Sequence, residues 1–146
     1  LTHVEDRGYA AVDFYDSSRL YDFTQKQLTI CDIALFRPRP LVNTLGPDYP
    51  GTKRLKTPEE YLLGAEITPA TGVFTLGALL FHFFGSYTQE ELQQMYRENR
   101  FFPCRRETWQ LSPKRYAIVL KAVDPVPLNR YPSLKDFRRD WESNLI

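Results

Sequence analysis

Cysteine is scarce in this chain: Cys31 and Cys104 are the two present, far apart and without a CxxC partner. Their placement excludes a disulfide scaffold and points to a reduced, cytoplasmic setting. Histidine is equally scarce, and neither His3 nor His82 stands at ligand spacing to a cysteine, so a zinc site is not expected. An excess of one charge is also lacking. With 19 Lys and Arg against 18 Asp and Glu, the net charge of +1 gives no field that would draw nucleic acid or a membrane surface. Basic doublets such as Lys53-Arg54, Arg105-Arg106 and Arg138-Arg139 are scattered and read as solvated faces. No long hydrophobic run is present either. Val73 to Phe84 is broken by Thr75, Gly77 and His82, too short for a membrane span and suited to a buried helix. Met95 is the only methionine and the chain opens on Leu1, so the native N-terminus is expected to lie upstream.

What is present suffices for one domain: 146 residues, 42% hydrophobic, with aromatics at 14% falling mostly inside periodic segments. The first third reads as strands. Gly8 to Val12 is short and apolar, and the segments 19–23 and 27–31 alternate in polarity around Thr24-Gln25-Lys26, as a β-hairpin would. From Arg37 to Pro58, five prolines with Gly46 and Gly51 show no period, which predicts a long loop. The remainder reads as helices. Thr57-Pro58-Glu59-Glu60 is a start signal, with proline in the first turn and acids near the positive end of the dipole. Thr71 to Phe84 is apolar nearly all round. Thr88 to Arg100 opens on a capping box, Ser112 to Val123 opens on Ser-Pro, and Ser133 to Leu145 carries one apolar stripe. A few strands, a long loop and then only helices give an α+β, mainly α-helical class.

Two acids stand out by position. Asp13 follows Ala10-Ala11-Val12, and Asp32 follows Leu28-Thr29-Ile30-Cys31, so each is read as ending a strand. The hairpin between them would bring both carboxylates to one sheet edge. Neighbouring carboxylates there can bind a divalent cation and accept a proton from an attacking hydroxyl.

The surroundings of these acids resemble the protein-kinase superfamily. Asp13-Phe14-Tyr15-Asp16-Ser17-Ser18 has the spacing of the catalytic loop H-R-D-x-x-x-x-N, and Asp32-Ile33-Ala34 stands where kinases carry D-F-G. Gly51-Thr52-Lys53-Arg54-Leu55-Lys56-Thr57-Pro58-Glu59 is similar to the G-T-x-x-[YL]-x-A-P-E end of an activation segment. Thr71-Gly72-Val73-Phe74-Thr75-Leu76-Gly77 resembles the buried helix S-D-V-[WY]-S-L-G. Asp124-Pro125 with Asn129-Arg130-Tyr131-Pro132-Ser133 looks like the late D-P-x-x-R-P-[ST] signature. The order and spacing hold from about residue 9 onward.

The resemblance implies a kinase-like C-terminal lobe with a small β-hairpin at the catalytic loop, without an N-terminal lobe. Its parts would be a catalytic loop at 9–18, hairpin at 19–31, activation segment at 32–59 and helical core at 60–146. Asp13 matches the aspartate that orients and deprotonates the acceptor, with Thr52 beside it. Asp32 matches the aspartate that brings Mg2+ to the phosphates of ATP, and Ser18 stands at the second metal-binding asparagine. Glu59 and Arg130 match a structural ion pair.

Departures from the pattern are specific. The H and R of the catalytic loop fall on Ala11 and Val12, so no basic pocket for an activation-loop phosphate is implied at Thr44, Tyr49 or Thr52. Tyr15 replaces a basic residue, and Gly72 replaces the aspartate that braces the catalytic loop. There is no glycine-rich loop and no strand lysine. The resemblance therefore implies an intact parent that transfers the γ-phosphate of ATP to Ser/Thr of a protein substrate, through Mg2+, and a 146-residue piece that is inert alone. The alternatives are a pseudokinase that organises a partner protein and a small-molecule (aminoglycoside-type) phosphotransferase. The Gly51-to-Glu59 segment argues against the latter.

Overall fold

Residues 1–144 are described in the structure, a computed structural model. In chain order they form α1 (Thr2–Asp6), β1 (Tyr9–Ala10), β2 (Arg19–Asp22), β3 (Gln27–Ile30), β4 (Arg37–Pro38), β5 (Leu41–Val42), β6 (Glu66–Ile67), α2 (Pro69–Phe84), α3 (Gln89–Glu98), α4 (Pro113–Ala122) and α5 (Leu134–Glu142). The fold is α+β, with three separate two-stranded antiparallel sheets: β1 with β4, β2 with β3, and β5 with β6.

Helix α2 is the centre. Thr68 and Thr71 form a reciprocal cap and Pro69 occupies the first turn, so the helix starts two residues before the apolar run itself. Val73, Phe74, Ala78, Leu79 and Phe81 on it are buried, most of them completely. Around Phe81, the rings of Phe101, Trp109 and Tyr116 lie with centroids 5.9, 5.2 and 5.5 Å away. A ring so enclosed is worth about 3–5 kcal/mol against alanine. Gly77 lets α4 come close: a Cβ there would lie 2.9 Å from Val123 Cγ1. Met95 of α3, Val119 and Ala122 of α4, and Leu134 and Phe137 of α5 complete this core. A smaller cluster of Val12, Tyr49 and Ile67 sits beneath the β5–β6 pair.

Several boundaries differ from the sequence reading, each for a local reason. Only Tyr9–Ala10 of the expected strand 8–12 pairs, against Arg37–Pro38. Helix α3 stops at Glu98 because Asn99 turns left-handed, at φ 48°, and its N–H caps Met95 O. The start signal at Thr57 yields a single 3-10 turn, Pro58–Tyr61. The expected helix 133–145 runs as α5 to Glu142, and Leu145 lies outside the described residues. Segment 37–58 is not a plain loop: it holds β4, β5 and a 3-10 turn at Gly46–Asp48. Among the described residues no helix is long and apolar enough to cross a membrane.

Candidate active site

Both aspartates lie just beyond strands rather than in them. Asp13 has φ 54° and Asp32 φ 59°, a left-handed backbone that Asp tolerates better than most side chains. Asp13 lies in a turn, and Asp32 in the unpaired stretch that follows β3. Asp13 is half-buried between the buried Val12 and Phe14, and Thr52 Oγ1 donates to its Oδ1 at 3.5 Å. Burial raises its pKa above the ordinary carboxylate value; the Thr52 hydrogen bond opposes this, and the negative charge of Asp32 adds to it.

Asp32 is exposed, and its Oδ2 accepts from the hydroxyl of Tyr15 at 3.1 Å. Read as the loss of a positive charge, Tyr15 instead bridges the two acidic bends. Ser18 is placed differently from its expected role as a metal ligand. It is 1% exposed, and its Oγ accepts from the Tyr15 N–H at 3.2 Å within a 3-10 turn (Asp16–Ser18). That hydroxyl closes the turn and is not offered to solvent beside the carboxylates.

Asp16 of the same turn is paired with Arg54, which ties the loop at 13–18 to the segment that ends at Glu59. That segment is held by buried polar groups. Lys56 Nζ donates to Pro47 O at 2.9 Å and Tyr49 O at 2.7 Å, and sits 4.2 Å from the centroid of the Tyr61 ring. Gly51 is needed beside it, since a Cβ would lie 2.6 Å from Lys56 Cγ. Asn43, wholly buried, donates to Gly46 O and Glu59 O and accepts from Leu45 N–H. Tyr49 is buried as well, which removes it from the surface where a phosphate could be added. Neither Lys56 nor Asn43 was singled out by the sequence; side-chain bonds to backbone carbonyls leave no periodic trace.

Glu59 and Arg130 form a two-pronged pair, Nη1 to Oε1 at 2.7 Å and Nη2 to Oε2 at 3.0 Å, with the guanidinium fully enclosed. The remaining donors of Arg130 reach the carbonyls of Ala70, Asp124 and Pro125, and Thr71 Oγ1 donates to Glu59 Oε1 at 3.0 Å. Every charge-bearing atom of the pair has a partner, the condition under which a buried ion pair is tolerable.

No family model matches the chain, and no curated protein matches its sequence.

Ala11, Val12 and Gly72 all line one cavity of about 40 Å³, walled also by Val4, Phe14 and Leu134. Polar side chains line the same cavity, among them Glu5, Arg39, Thr71 and Thr75. A wider groove of about 640 Å³ lies elsewhere, among Tyr61, Phe74, Phe101 and Phe102. Two of its polar side chains, Lys56 and Asp124, are already engaged by backbone groups.

The donor set at the bends consists of two carboxylates. Among the described residues no group of three or more His, Cys, Asp or Glu gathers in one place. Two carboxylates fit Mg2+ that keeps its waters and takes phosphate oxygens, and do not fit an all-protein cage.

Proposed function

We propose that this chain is the C-terminal lobe of a divergent protein-kinase-like phosphotransferase, acting on Ser/Thr hydroxyls of a protein substrate. The observation that carries the proposal is a pair of side-chain contacts: Thr52 Oγ1 donates to Asp13 Oδ1 at 3.5 Å, and the hydroxyl of Tyr15, two residues on from Asp13, donates to Asp32 Oδ2 at 3.1 Å. The enclosed Glu59–Arg130 pair, which joins residues far apart in sequence, supports it.

In this reading Asp13 is the group nearest the chemistry. Its carboxylate orients the acceptor O–H and takes its proton as the oxygen bonds the γ-phosphorus; the bond to the bridging oxygen breaks and ADP leaves. A carboxyl whose pKa is raised by burial is a better proton acceptor than an ordinary one. Thr52 restrains Asp13 through its hydroxyl. Asp32 would hold Mg2+, which supplies charge neutralisation on the phosphates when bound. Glu59, Arg130, Asn43 and Lys56 keep the segment 43–61 in place, so that Thr52 stays against Asp13.

A second reading has a specific observation behind it. Ala11, Val12 and Gly72 carry no polar side-chain group, and the Ser18 hydroxyl is engaged within its own turn, as a pseudokinase that organises a partner protein would permit. Radiolabelled ATP with a generic protein substrate separates the two. The 146-residue chain alone should transfer nothing, since phosphoryl transfer needs a phosphate clamp that it lacks. A longer protein that joins this chain to such a clamp should transfer slowly, Asp32→Asn should abolish transfer, and Asp13→Asn should depress it strongly. ATP binding without transfer under any divalent metal decides for the pseudokinase.

A further inference from the structure

The acidic bend at Asp32 poses a positioning problem. Its carboxylate is exposed, its backbone is left-handed, and the two residues that follow, Ile33 and Ala34, are exposed as well, Ile33 at 59%. An exposed carboxylate with no packed neighbours must be oriented by a hydrogen bond if it is to serve as a ligand. Among the described residues one side chain donates to it: the Tyr15 hydroxyl, at 3.1 Å to Oδ2.

Tyr15 is itself held from both ends. Its ring packs, partly buried, against the main core. Its N–H donates to Ser18 Oγ at 3.2 Å, and its carbonyl accepts from Ser18 N–H at 3.0 Å. Cys31 N–H in turn donates to Ser18 O at 3.0 Å, so the same turn carries the backbone that leads into Asp32. The phenol thus reaches from a hydrogen-bonded turn to an exposed acid.

We propose that Tyr15 is the positioning residue for Asp32, its hydroxyl fixing the carboxylate so that Oδ1 and the free lone pair of Oδ2 face a divalent cation. The proposal rests on the metal-binding part of the reading above. It assigns a task to a residue that the kinase pattern does not supply, at the place where that pattern has a basic side chain. Metal-ligating carboxylates are commonly held by a second hydrogen bond of this kind, and loss of such a partner weakens metal binding by roughly 10–100-fold.

The test is a titration of the 15N-labelled chain with MnCl2, read as paramagnetic broadening of the amides at 13–15 and 31–33. Wild type should show broadening there. Tyr15→Phe keeps the ring in the core and removes only the donor. Its half-broadening concentration should rise about tenfold, while the melting temperature and amides remote from the bends stay unchanged, a combination that a merely structural role would not give. Asp32→Asn should abolish the local broadening. Unchanged or tighter Mn2+ binding in Tyr15→Phe, with loss in Asp32→Asn, overturns the positioning role and leaves the metal reading standing. Wild type without local broadening, or Asp32→Asn with undiminished broadening, overturns the metal reading and the proposal together.

Discussion

The segment from Asn43 to Tyr61 and the hairpin from Arg19 to Ile30 flank the same acidic bends, yet they are stabilised in opposite ways. The first is irregular in backbone and dense in buried polar contacts: Asn43, Lys56, Thr57, Glu59 and Glu60 are all buried. The second is regular, with Arg19 opposite Ile30 and Asp22 opposite Gln27, but Leu20, Phe23 and Leu28 are 64, 85 and 56% exposed. A lone two-stranded hairpin is marginal in water. This one is anchored at its base, where Cys31 N–H meets Ser18 O and the Arg19 guanidinium lies 4.3 Å from the centroid of the Phe83 ring. Regular secondary structure and burial are therefore different properties here. Asp13 accepts from Thr52 on the buried side, whereas Asp32 follows the exposed hairpin and accepts from one phenol.

The largest effect that would break the contrast is on the buried side. Glu59→Ala or Arg130→Ala leaves one enclosed charge without its partner and should cost about 3–5 kcal/mol in urea unfolding. A loss below 1 kcal/mol, the scale of exposed pairs, would show that the pair does not anchor the segment.

Next comes Glu60. Burial pushes its carboxyl from 4.5 up to about 7, against the opposing hydrogen bonds from Thr57. A raised folded-state pKa means that the folded protein binds more protons than the unfolded chain between these values. The stability contribution of Glu60 is thus complete below pH 4.5 and is lost as pH rises to about 7. The change should be on the order of 3 kcal/mol, at about 1.4 kcal/mol for each pKa unit. Glu60→Gln should flatten that part of a pH–stability profile; a profile identical to wild type would remove Glu60 as the cause.

Lys56→Met keeps the stem but leaves the carbonyls of Pro47 and Tyr49 without their donor, at a cost of about 1–3 kcal/mol. Hydrogen exchange should then quicken in 46–61 and stay unchanged in the hairpin. The smallest effect sharpens the comparison from the other side: Phe23→Ser should move stability by no more than about 0.5 kcal/mol, as for surface positions generally.

How much of this the residues announced depends on range. Helix α3 is legible because Thr88 and Glu91 cap each other three residues apart, and α2 because its apolar run is long. The hairpin follows from alternation. The pairing of Glu59 with Arg130 spans 71 positions and came only from the resemblance of two motifs. Helix α1 and the contact of the Glu5 carboxylate with Leu134 N–H, 129 positions away, left no local signal. Strands of two residues such as β4 and β5 are too short for a period, so 37–58 read as featureless. Tyr15 was read through the charge that it lacks, because one sequence cannot show what a hydroxyl will touch.

The central claim is that Asp13 and Asp32 form one acidic site across these two unlike regions. Carbon-13 NMR titration of the Asp13 carboxyl tests it without requiring activity. In wild type Asp13 should titrate above the ordinary 3.8, through burial first and the charge of Asp32 as a further contribution, and Asp32→Asn should shift it downward. An Asp13 titration that Asp32→Asn leaves unmoved would contradict the account, because the two carboxylates would then not share a site.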